Sequence, residues 1–249
     1  MNGAALAAFK PGQEKEYVDF SMGLWKGIKA SDIFKYWTGG IATGILGLAP
    51  SLLNNDPLRQ LITKVLDGKN VERKFSIGTC DANTAEYVVY TYEPSSKKPA
   101  DLIDTLIASA AIDGVFPPVL RDGRTLVDGG SIWNTNIPSA VNGCRELGYD
   151  DKDIIVDYIL CGGKEMSERE TDDFHAFKHL LNAWEIRSFY GAMGDVERTK
   201  PFYPEVNFRY TIAPSESLNS GFIPLDFSEE HLNHCMAVGE KDALKAIEL

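Results

Sequence analysis

The sequence has little positive charge, and its basic residues are scattered. Its 249 residues include 25 Lys and Arg against 36 Asp and Glu, which gives a formal net charge of -11. No run of Lys and Arg is longer than two residues. A chain with this balance repels phosphate backbones and anionic membrane surfaces. We therefore expect no nucleic-acid partner, and any transient contact with a membrane or micelle surface has to be apolar.

Long hydrophobic runs are also lacking. The longest candidate, Gly39 to Leu53, is shorter than the roughly 18 to 20 residues that a transmembrane helix needs, and it contains Pro50. We therefore predict no transmembrane segment.

Features of secreted proteins are missing as well. The first residues contain no charged leader followed by an apolar core, and no Asn-x-Ser/Thr sequon occurs. The four cysteines form no CxxC pair and no tight framework. They are Cys80, Cys144, Cys161 and Cys235. These absences favour reduced, buried thiols and a cytoplasmic location.

Motifs for cofactors and metals are absent too. The chain has no Gly-x-Gly-x-x-Gly and no phosphate loop. Its histidines form one i,i+4 pair, His175 and His179, and one i,i+3 pair, His231 and His234. No zincin-type glutamate accompanies them, so surface histidines on amphipathic helices are favoured over a histidine-metal hydrolase. We predict no cofactor and no metal.

What the sequence does contain is an alternation of helical and strand patterns. Helical periodicity occurs near residues 12–28, 56–67, 99–111, 135–147, 171–195 and 228–247. Strand-like runs occur at 74–81, 86–93, 124–130, 153–163 and 207–214. This alternation predicts an α/β fold.

The strand patterns also suggest how the sheet is built. Ile154 to Leu160 is apolar at most positions, which is typical of a parallel strand covered by helices on both sides. The first two runs are joined by "DANTAE", residues 81–86, six residues of turn and polar character, so these runs should form a hairpin. We predict a three-layer α/β/α sandwich with a mixed, mainly parallel central sheet. At this length, residues 1–249 should form a single domain.

The first residues are unusual for a chain start. Asn2 to Phe9 is small or apolar on every side, so a helix here is expected to be buried all round. Its start would bring the Met1 ammonium and unpaired N–H groups near the interior, at about 1 to 3 kcal/mol for each uncompensated polar group. We therefore expect a further segment ahead of Met1.

A candidate catalytic group lies at the end of the third strand-like run. Asp128 is followed by Gly129 and Gly130, which permit a tight turn and close backbone approach. Strand ends of open α/β folds are where ligands gather, so a fixed carboxylate here suits a base. The alternative is a turn carboxylate that binds its own backbone.

The surroundings of Asp128 resemble a known family. The stretch "ASAAIDGVFPPVLRDGRTLVDGGSIWNTNIPSAV", Ala108 to Val141, is similar to the patatin-like phospholipases, in which a Phe-Pro-Pro segment precedes an Asp-Gly-Gly or Asp-Gly-Ala turn. "NNDPLRQLI", residues 54–62, is similar to a helix of that family. "MNGAALAAF" is similar to the helix that directly follows its Gly-x-Ser-x-Gly nucleophile motif.

The resemblance implies a lipid acyl hydrolase that cleaves phospholipid or acylglycerol esters with a Ser-Asp dyad. It assigns the base to Asp128, with Gly129 and Gly130. The 249 residues contain neither Gly-x-Ser-x-Gly nor the glycine-rich oxyanion loop. The resemblance therefore implies one patatin-like domain that begins just after the nucleophile motif, lacks its N-terminal strand and elbow, and is inactive as written. The alternative is a non-catalytic, shortened patatin-like protein that binds acyl lipid or a protein partner.

Three further segments bear on this interpretation. Asp113 stands where the family usually has Pro, and its carboxylate would raise the proton affinity of Asp128 if the two lie close. Ser109 has no flanking elbow glycines, so a packing or capping hydroxyl is favoured over a nucleophile. Gly39 to Leu53 is a buried connection, a helix packed with small residues, or an apolar flap at the mouth of an acyl pocket.

Overall fold

The secondary structure alternates between helices and strands. The structure is a computed structural model that describes residues 1–162, 170–218 and 225–248. The helices are α1 (Asn2–Ala7), α2 (Glu14–Gly27), α3 (Ala30–Ile33), α4 (Ile41–Ile45), α5 (Asp56–Val65), α6 (Leu102–Ala108), α7 (Ile137–Glu146), α8 (Ala176–Thr199) and α9 (Glu229–Ile247). The strands are β1 (Phe75–Asp81), β2 (Glu86–Tyr92), β3 (Val119–Arg121), β4 (Arg124–Asp128), β5 (Ile155–Ile159) and β6 (Asn207–Ile212). The predicted α/β class is confirmed.

Every long element was predicted from the periodicity of the sequence. Each helical window contains one of the helices α2, α5, α6, α7, α8 and α9, although α8 runs four residues past its window. Each strand-like run contains one of β1, β2, β4, β5 and β6. The elements that the pattern missed, α3, α4 and β3, have three to five residues, which is too short for a period to register.

The chain divides into two compact units, Met1–Ile132 and Trp133–Leu249, and each is described by itself. The expectation of a single domain over residues 1–249 stays a prediction. In the described part of the chain, no helix is long and apolar enough to cross a membrane.

The first unit contains a four-stranded sheet in the order β2-β1-β4-β3, and all neighbouring strands are antiparallel. The predicted hairpin of β1 and β2 is confirmed, with Phe75 opposite Tyr92 and Asp81 opposite Glu86. Strands β3 and β4 form a second hairpin, whose turn residues Asp122 and Gly123 both have positive φ, 51° and 76°. This conformation is typical of a tight two-residue turn.

The expectation of a mainly parallel sheet is wrong for these strands. Two of the three pairs are hairpins, and a short turn can join only antiparallel neighbours because a parallel pair needs a crossover of a dozen or more residues. The third pair joins β1 to β4, with Thr79 opposite Asp128.

Helix α6 packs against this sheet and fixes its β3 end. Leu106 of α6 and Leu126 of β4 are almost completely buried. Arg121 of β3 is 15 % exposed, donates to the Asp101 carboxylate and the Thr105 hydroxyl, and stacks on the Tyr90 ring at 3.9 Å. The hairpin that carries Asp128 is therefore anchored to a helix by a half-buried ionic network.

The second unit has a two-stranded parallel sheet of β5 and β6. The expected parallel direction of the strand within Ile154 to Leu160 is thus confirmed. Val156 and Tyr158 of β5 are buried, whereas Ile155 and Ile159 are exposed, so the expectation that both faces of this strand are covered is wrong. The core of the unit combines strand and helix side chains: Ile137, Val141, Ile154, Val156, Tyr158, Leu160, Val196 and Val206. The three-layer arrangement stays a prediction.

Helix α1 is less buried than its sequence indicates. Only Ala4 and Ala7 are buried, while Met1 is about half exposed, so the expectation of burial all round is wrong. The helix is short, and it leaves one side to solvent because it packs mainly against α2 and β1. Trp25 of α2 holds its first turn by donating to the Asn2 side-chain oxygen at 3.2 Å.

Candidate active site

Asp128 is the last residue of β4, and its backbone is held on two sides. Its N–H donates to the Ala111 carbonyl at 3.0 Å, and its register partner on β1 is Thr79. The chain then turns into a 3-10 helix, Gly129–Ser131. The Asp128 Oδ1 accepts the N–H of Gly130 at 2.8 Å, so the side chain is oriented by the turn that follows it.

Position 129 requires glycine because the backbone of β1 comes very close to it, and not because of an unusual φ angle. A Cβ at this position would lie 2.7 Å from the carbonyl carbon and oxygen of Gly78 and 3.0 Å from the Thr79 nitrogen. Its φ lies outside the left-handed region. The turn after Asp128 therefore packs backbone against backbone on β1, which no side chain at position 129 would permit.

Burial raises the pKa of the half-buried Asp128 carboxyl above its ordinary value. The hydrogen bond from Gly130 opposes this shift, and the carboxylate of Asp113 adds to it through charge repulsion. The Met1 ammonium has the opposite sign and lowers the pKa of Asp128. The net result is a carboxylate with a stronger attraction for a proton than an exposed aspartate has.

Asp113 lies in space beside the turn that follows Asp128. Ser131, at the end of the 3-10 turn, donates its hydroxyl to the Asp113 carboxylate. The expectation that Asp113 raises the proton affinity of Asp128 is confirmed by the electrostatic effect on its pKa. The turn Asp113-Gly114 is also kept, with Gly114 at φ 74°.

The positive N-terminal end of α1 has a weak, favourable electrostatic effect on the Asp128 carboxylate. A helix N-terminus carries partial positive charge and favours anionic groups. The start of "MNGAALAAF" and the Asp-Gly-Gly turn, 127 residues apart in sequence, both belong to the first unit.

An apolar cavity extends from the same end of α1. Its volume is about 70 Å³, which is space for several water-sized groups, and it is partly open to solvent. Helices α1, α2 and α5 line most of it. Among the described residues that line it, the polar groups are the Asn2 side chain and the Trp25 indole N–H, which are hydrogen-bonded to each other. Met1 also lines the cavity.

The sequence matches the family model for patatin-like phospholipase over residues 1–141. The chain belongs to the patatin-like phospholipase family. The match covers more than half of the 249 residues and includes α1, the four-stranded sheet, Asp128 and the glycines that follow it. Members of the patatin-like family act on lipid substrates, so this is a domain of the lipid acyl hydrolase type.

The other candidate residues are described each within its own unit. Ser109 lies at the C-terminal end of α6, as expected for a packing or capping residue. His175 caps α8 and accepts the Lys178 N–H at 3.4 Å, and His179 is exposed. Within residues 1–162, 170–218 and 225–248, no three His, Cys, Asp or Glu side chains are grouped so that they could hold a metal ion.

Of the cysteines, Cys80 is buried but Cys161 is exposed, so the expected burial is wrong for Cys161.

Sequence reasoning missed two parts of this patatin-like site. The bond between Ser131 and Asp113 joins side chains 18 residues apart, and no motif marks it. The cavity is formed by helices that the periodicity predicted correctly, but a helical period does not show which apolar faces leave space between them.

Proposed function

We propose that this chain supplies the base half of a lipid acyl hydrolase, with Asp128 as the general base for a serine nucleophile. The observation that carries the proposal is the half-buried Asp128 carboxylate at the end of β4, which is oriented by the Gly130 N–H and whose pKa is raised by burial. In the family motif, the helix similar to α1 directly follows the nucleophile serine. That resemblance would bring the serine to the end of α1 that interacts with Asp128.

The chemistry follows from the way Asp128 is held. Because Oδ1 accepts the Gly130 N–H, the second carboxylate oxygen remains to take the serine proton as the serine attacks the ester carbonyl. The protonated Asp128 then returns this proton to the leaving alcohol, and water cleaves the acyl-enzyme with Asp128 as base again. A raised pKa favours the first transfer because the base holds the proton more strongly.

The apolar cavity supports the acyl part of the proposal. The part of a fatty acyl chain next to the reacting carbonyl needs an apolar surface, and this cavity offers one that begins at Met1. Hydrophobic burial of the chain would contribute about 0.8 kcal/mol for each methylene group.

The 249 residues contain no Gly-x-Ser-x-Gly motif, so we expect no ester hydrolysis by these residues alone. The test compares this chain with a fusion that carries a family Gly-x-Ser-x-Gly segment ahead of Met1, using a p-nitrophenyl acyl ester. Hydrolysis should occur in the fusion and fall by at least about 100-fold on Asp128→Asn.

Two controls separate the roles. The nucleophile Ser→Ala variant of the fusion should be inactive, and Asp122→Asn, in the exposed turn between β3 and β4, should retain activity. Hydrolysis that survives Asp128→Asn would contradict the assignment of the base, as would activity of the unfused chain that depends on Asp128.

The cavity also favours a second candidate, a non-catalytic protein that binds acyl lipid. It would be supported if the unfused chain binds a fluorescent fatty acid and Ala5→Trp, which projects a large side chain into the cavity wall, abolishes that binding. Gly23→Trp on α2, where nothing lies within 4 Å of a Cβ, is the matched control.

A further inference from the structure

Residues 36–53 form an uncharged loop that is closed at its base; we refer to them as the apolar loop. Lys35 and Asn54 exchange both backbone hydrogen bonds at 2.9 Å and so bring the two ends together. The 18 residues between them include no Asp, Glu, Lys, Arg or His, in a chain of which 24 % is charged. At the base of the loop, the Lys35 Nζ forms a salt bridge with the Asp56 Oδ2 at 3.0 Å.

The far end of the apolar loop exposes large aliphatic side chains. Ile45, Leu46 and Leu48 are 68 %, 71 % and 76 % exposed, and Ile41 is about half exposed. Of the alternatives for Gly39 to Leu53, the buried connection is therefore wrong for this end. Several large apolar side chains on one short segment differ from the single exposed residues that any protein surface has.

The loop has a defined fold of its own. The Trp37 indole N–H donates to the Ser51 carbonyl at 3.0 Å, and the Thr43 hydroxyl donates to the Thr38 carbonyl at 2.8 Å. A Cβ on Gly44 would lie 2.6 Å from the Ser51 carbonyl oxygen, so α4 packs directly on the returning chain. The aliphatic side chains are thus presented by a fixed scaffold with internally satisfied polar groups.

The returning end of the loop is joined to the candidate active site. Leu52 and Leu53 donate their N–H groups to the carbonyls of Gly114 and Val115, both at 2.9 Å. Gly114 directly follows Asp113, which accepts the Ser131 hydroxyl beside Asp128. The apolar loop is therefore attached to the segment that borders the catalytic carboxylate.

We propose that the apolar loop docks this protein on an electrically neutral lipid surface, with Ile41, Ile45, Leu46 and Leu48 inserted among the acyl chains. The loop has no charged group that could bind a charged protein partner or a charged lipid head group. The net charge of -11 disfavours binding of the chain to an anionic surface. The Lys35–Asp56 pair at the base stays on the water side. The inference rests on the proposed function only in that the substrate is a lipid.

Docking through this loop would bring the candidate site close to the surface that holds its substrate. A lipid ester could then reach the apolar cavity without its acyl chain crossing bulk water, which is the costly step for a long chain.

The test is flotation of the 249-residue chain with vesicles of phosphatidylcholine. The wild type should float with the vesicles, and the triple variant Ile45→Ser, Leu46→Ser, Leu48→Ser should bind at least about tenfold more weakly. The matched control is Leu120→Ser, Leu147→Ser, Leu180→Ser, which removes side chains that are 80 %, 59 % and 66 % exposed elsewhere. The control should bind like the wild type.

A site-specific probe complements the flotation. Leu46→Trp should gain blue-shifted fluorescence on mixing with phosphatidylcholine vesicles, whereas Leu120→Trp should not. Circular dichroism of each variant verifies that the fold is retained.

Several results would overturn the proposal: no wild-type binding to phosphatidylcholine, equal loss in the control triple, or binding that requires phosphatidylserine. If the wild type forms dimers and the triple variant of the apolar loop is monomeric, the loop would instead bind a second copy of the chain. Asp128→Asn leaves the apolar loop unchanged, so this variant should float like the wild type. A wrong assignment of the catalytic base would therefore show in the hydrolysis assay and not in the flotation assay.

Discussion

At the residue scale, Asp128 combines a base-like electrostatic environment with a cost to the folded state. Its carboxylate is half-buried and faces the negative charge of Asp113. A group whose ionised form is disfavoured by the fold is common at functional sites and uncommon elsewhere. The same residue can therefore be tested through stability, independently of catalysis.

We expect Asp128→Asn to raise the free energy of unfolding at neutral pH by the order of 1 kcal/mol. Asparagine keeps an oxygen that can accept the Gly130 N–H but carries no charge. Because the pKa of Asp128 is raised in the folded chain, ionisation lowers wild-type stability as pH rises from the ordinary value of 3.8 through the folded-state pKa.

The advantage of the variant should therefore be full above the folded-state pKa and shrink as pH falls towards 3.8. Urea denaturation of both proteins across this range measures it. A difference that does not change with pH would show that the charge is not the cause.

Gly129 provides a second prediction at the same scale. Gly129→Ala should lower the free energy of unfolding by about 1 to 3 kcal/mol, since its Cβ would collide with the backbone of Gly78. Gly23→Ala, inside α2 with nothing within 4 Å, should be neutral or stabilising by up to about 1 kcal/mol. Thermal unfolding of the two variants makes the comparison, and equal effects would show that the close approach at position 129 is not limiting.

At the element scale, the hairpin of β3 and β4 depends on α6 for its position. Arg121 makes this connection through Asp101 and Thr105, and its guanidinium is largely buried against Tyr90. Arg124, on the neighbouring strand, pairs with Glu86 at 2.7 Å in a more exposed position. The two arginines therefore offer a matched pair within one hairpin.

Arg121→Ala should lower the free energy of unfolding by about 2 kcal/mol or more, because it leaves half-buried polar groups without their donor. Arg124→Ala should cost less than about 1 kcal/mol, as exposed ion pairs usually do. Denaturant titration distinguishes the two, and a larger cost at Arg124 would contradict the anchoring role of Arg121.

The elements also show where sequence reasoning stops. The windows of the six longer helices after α1 were predicted because a period of 3.6 residues is written into each segment. The antiparallel pairing of β1 with β4 was not predicted, since the run containing β4 carries no sign of which strand it will meet. Strand direction depends on partners that lie dozens of residues away.

At the scale of the whole molecule, the expected single domain can be tested by cooperativity. Leu126 lies in the core of the first unit and Val141 in the core of the second, and both are 0 % exposed. A single domain predicts one calorimetric transition that both Leu126→Ala and Val141→Ala shift downwards, with Leu126→Ala costing about 2 to 5 kcal/mol. Two transitions, each moved by only one of the variants, would show that the units unfold separately.

The α/β class, the longer elements, the first hairpin and the candidate base are each encoded in a short contiguous pattern, so they can be inferred from local sequence alone. Asp128-Gly129-Gly130 is such a pattern, and the family match over residues 1–141 agrees with the resemblance read from it. That Asp113 acts on Asp128 and that the apolar loop is exposed became visible only in the folded chain. These features depend on packing between distant segments, and local periodicity carries no information about which segments meet.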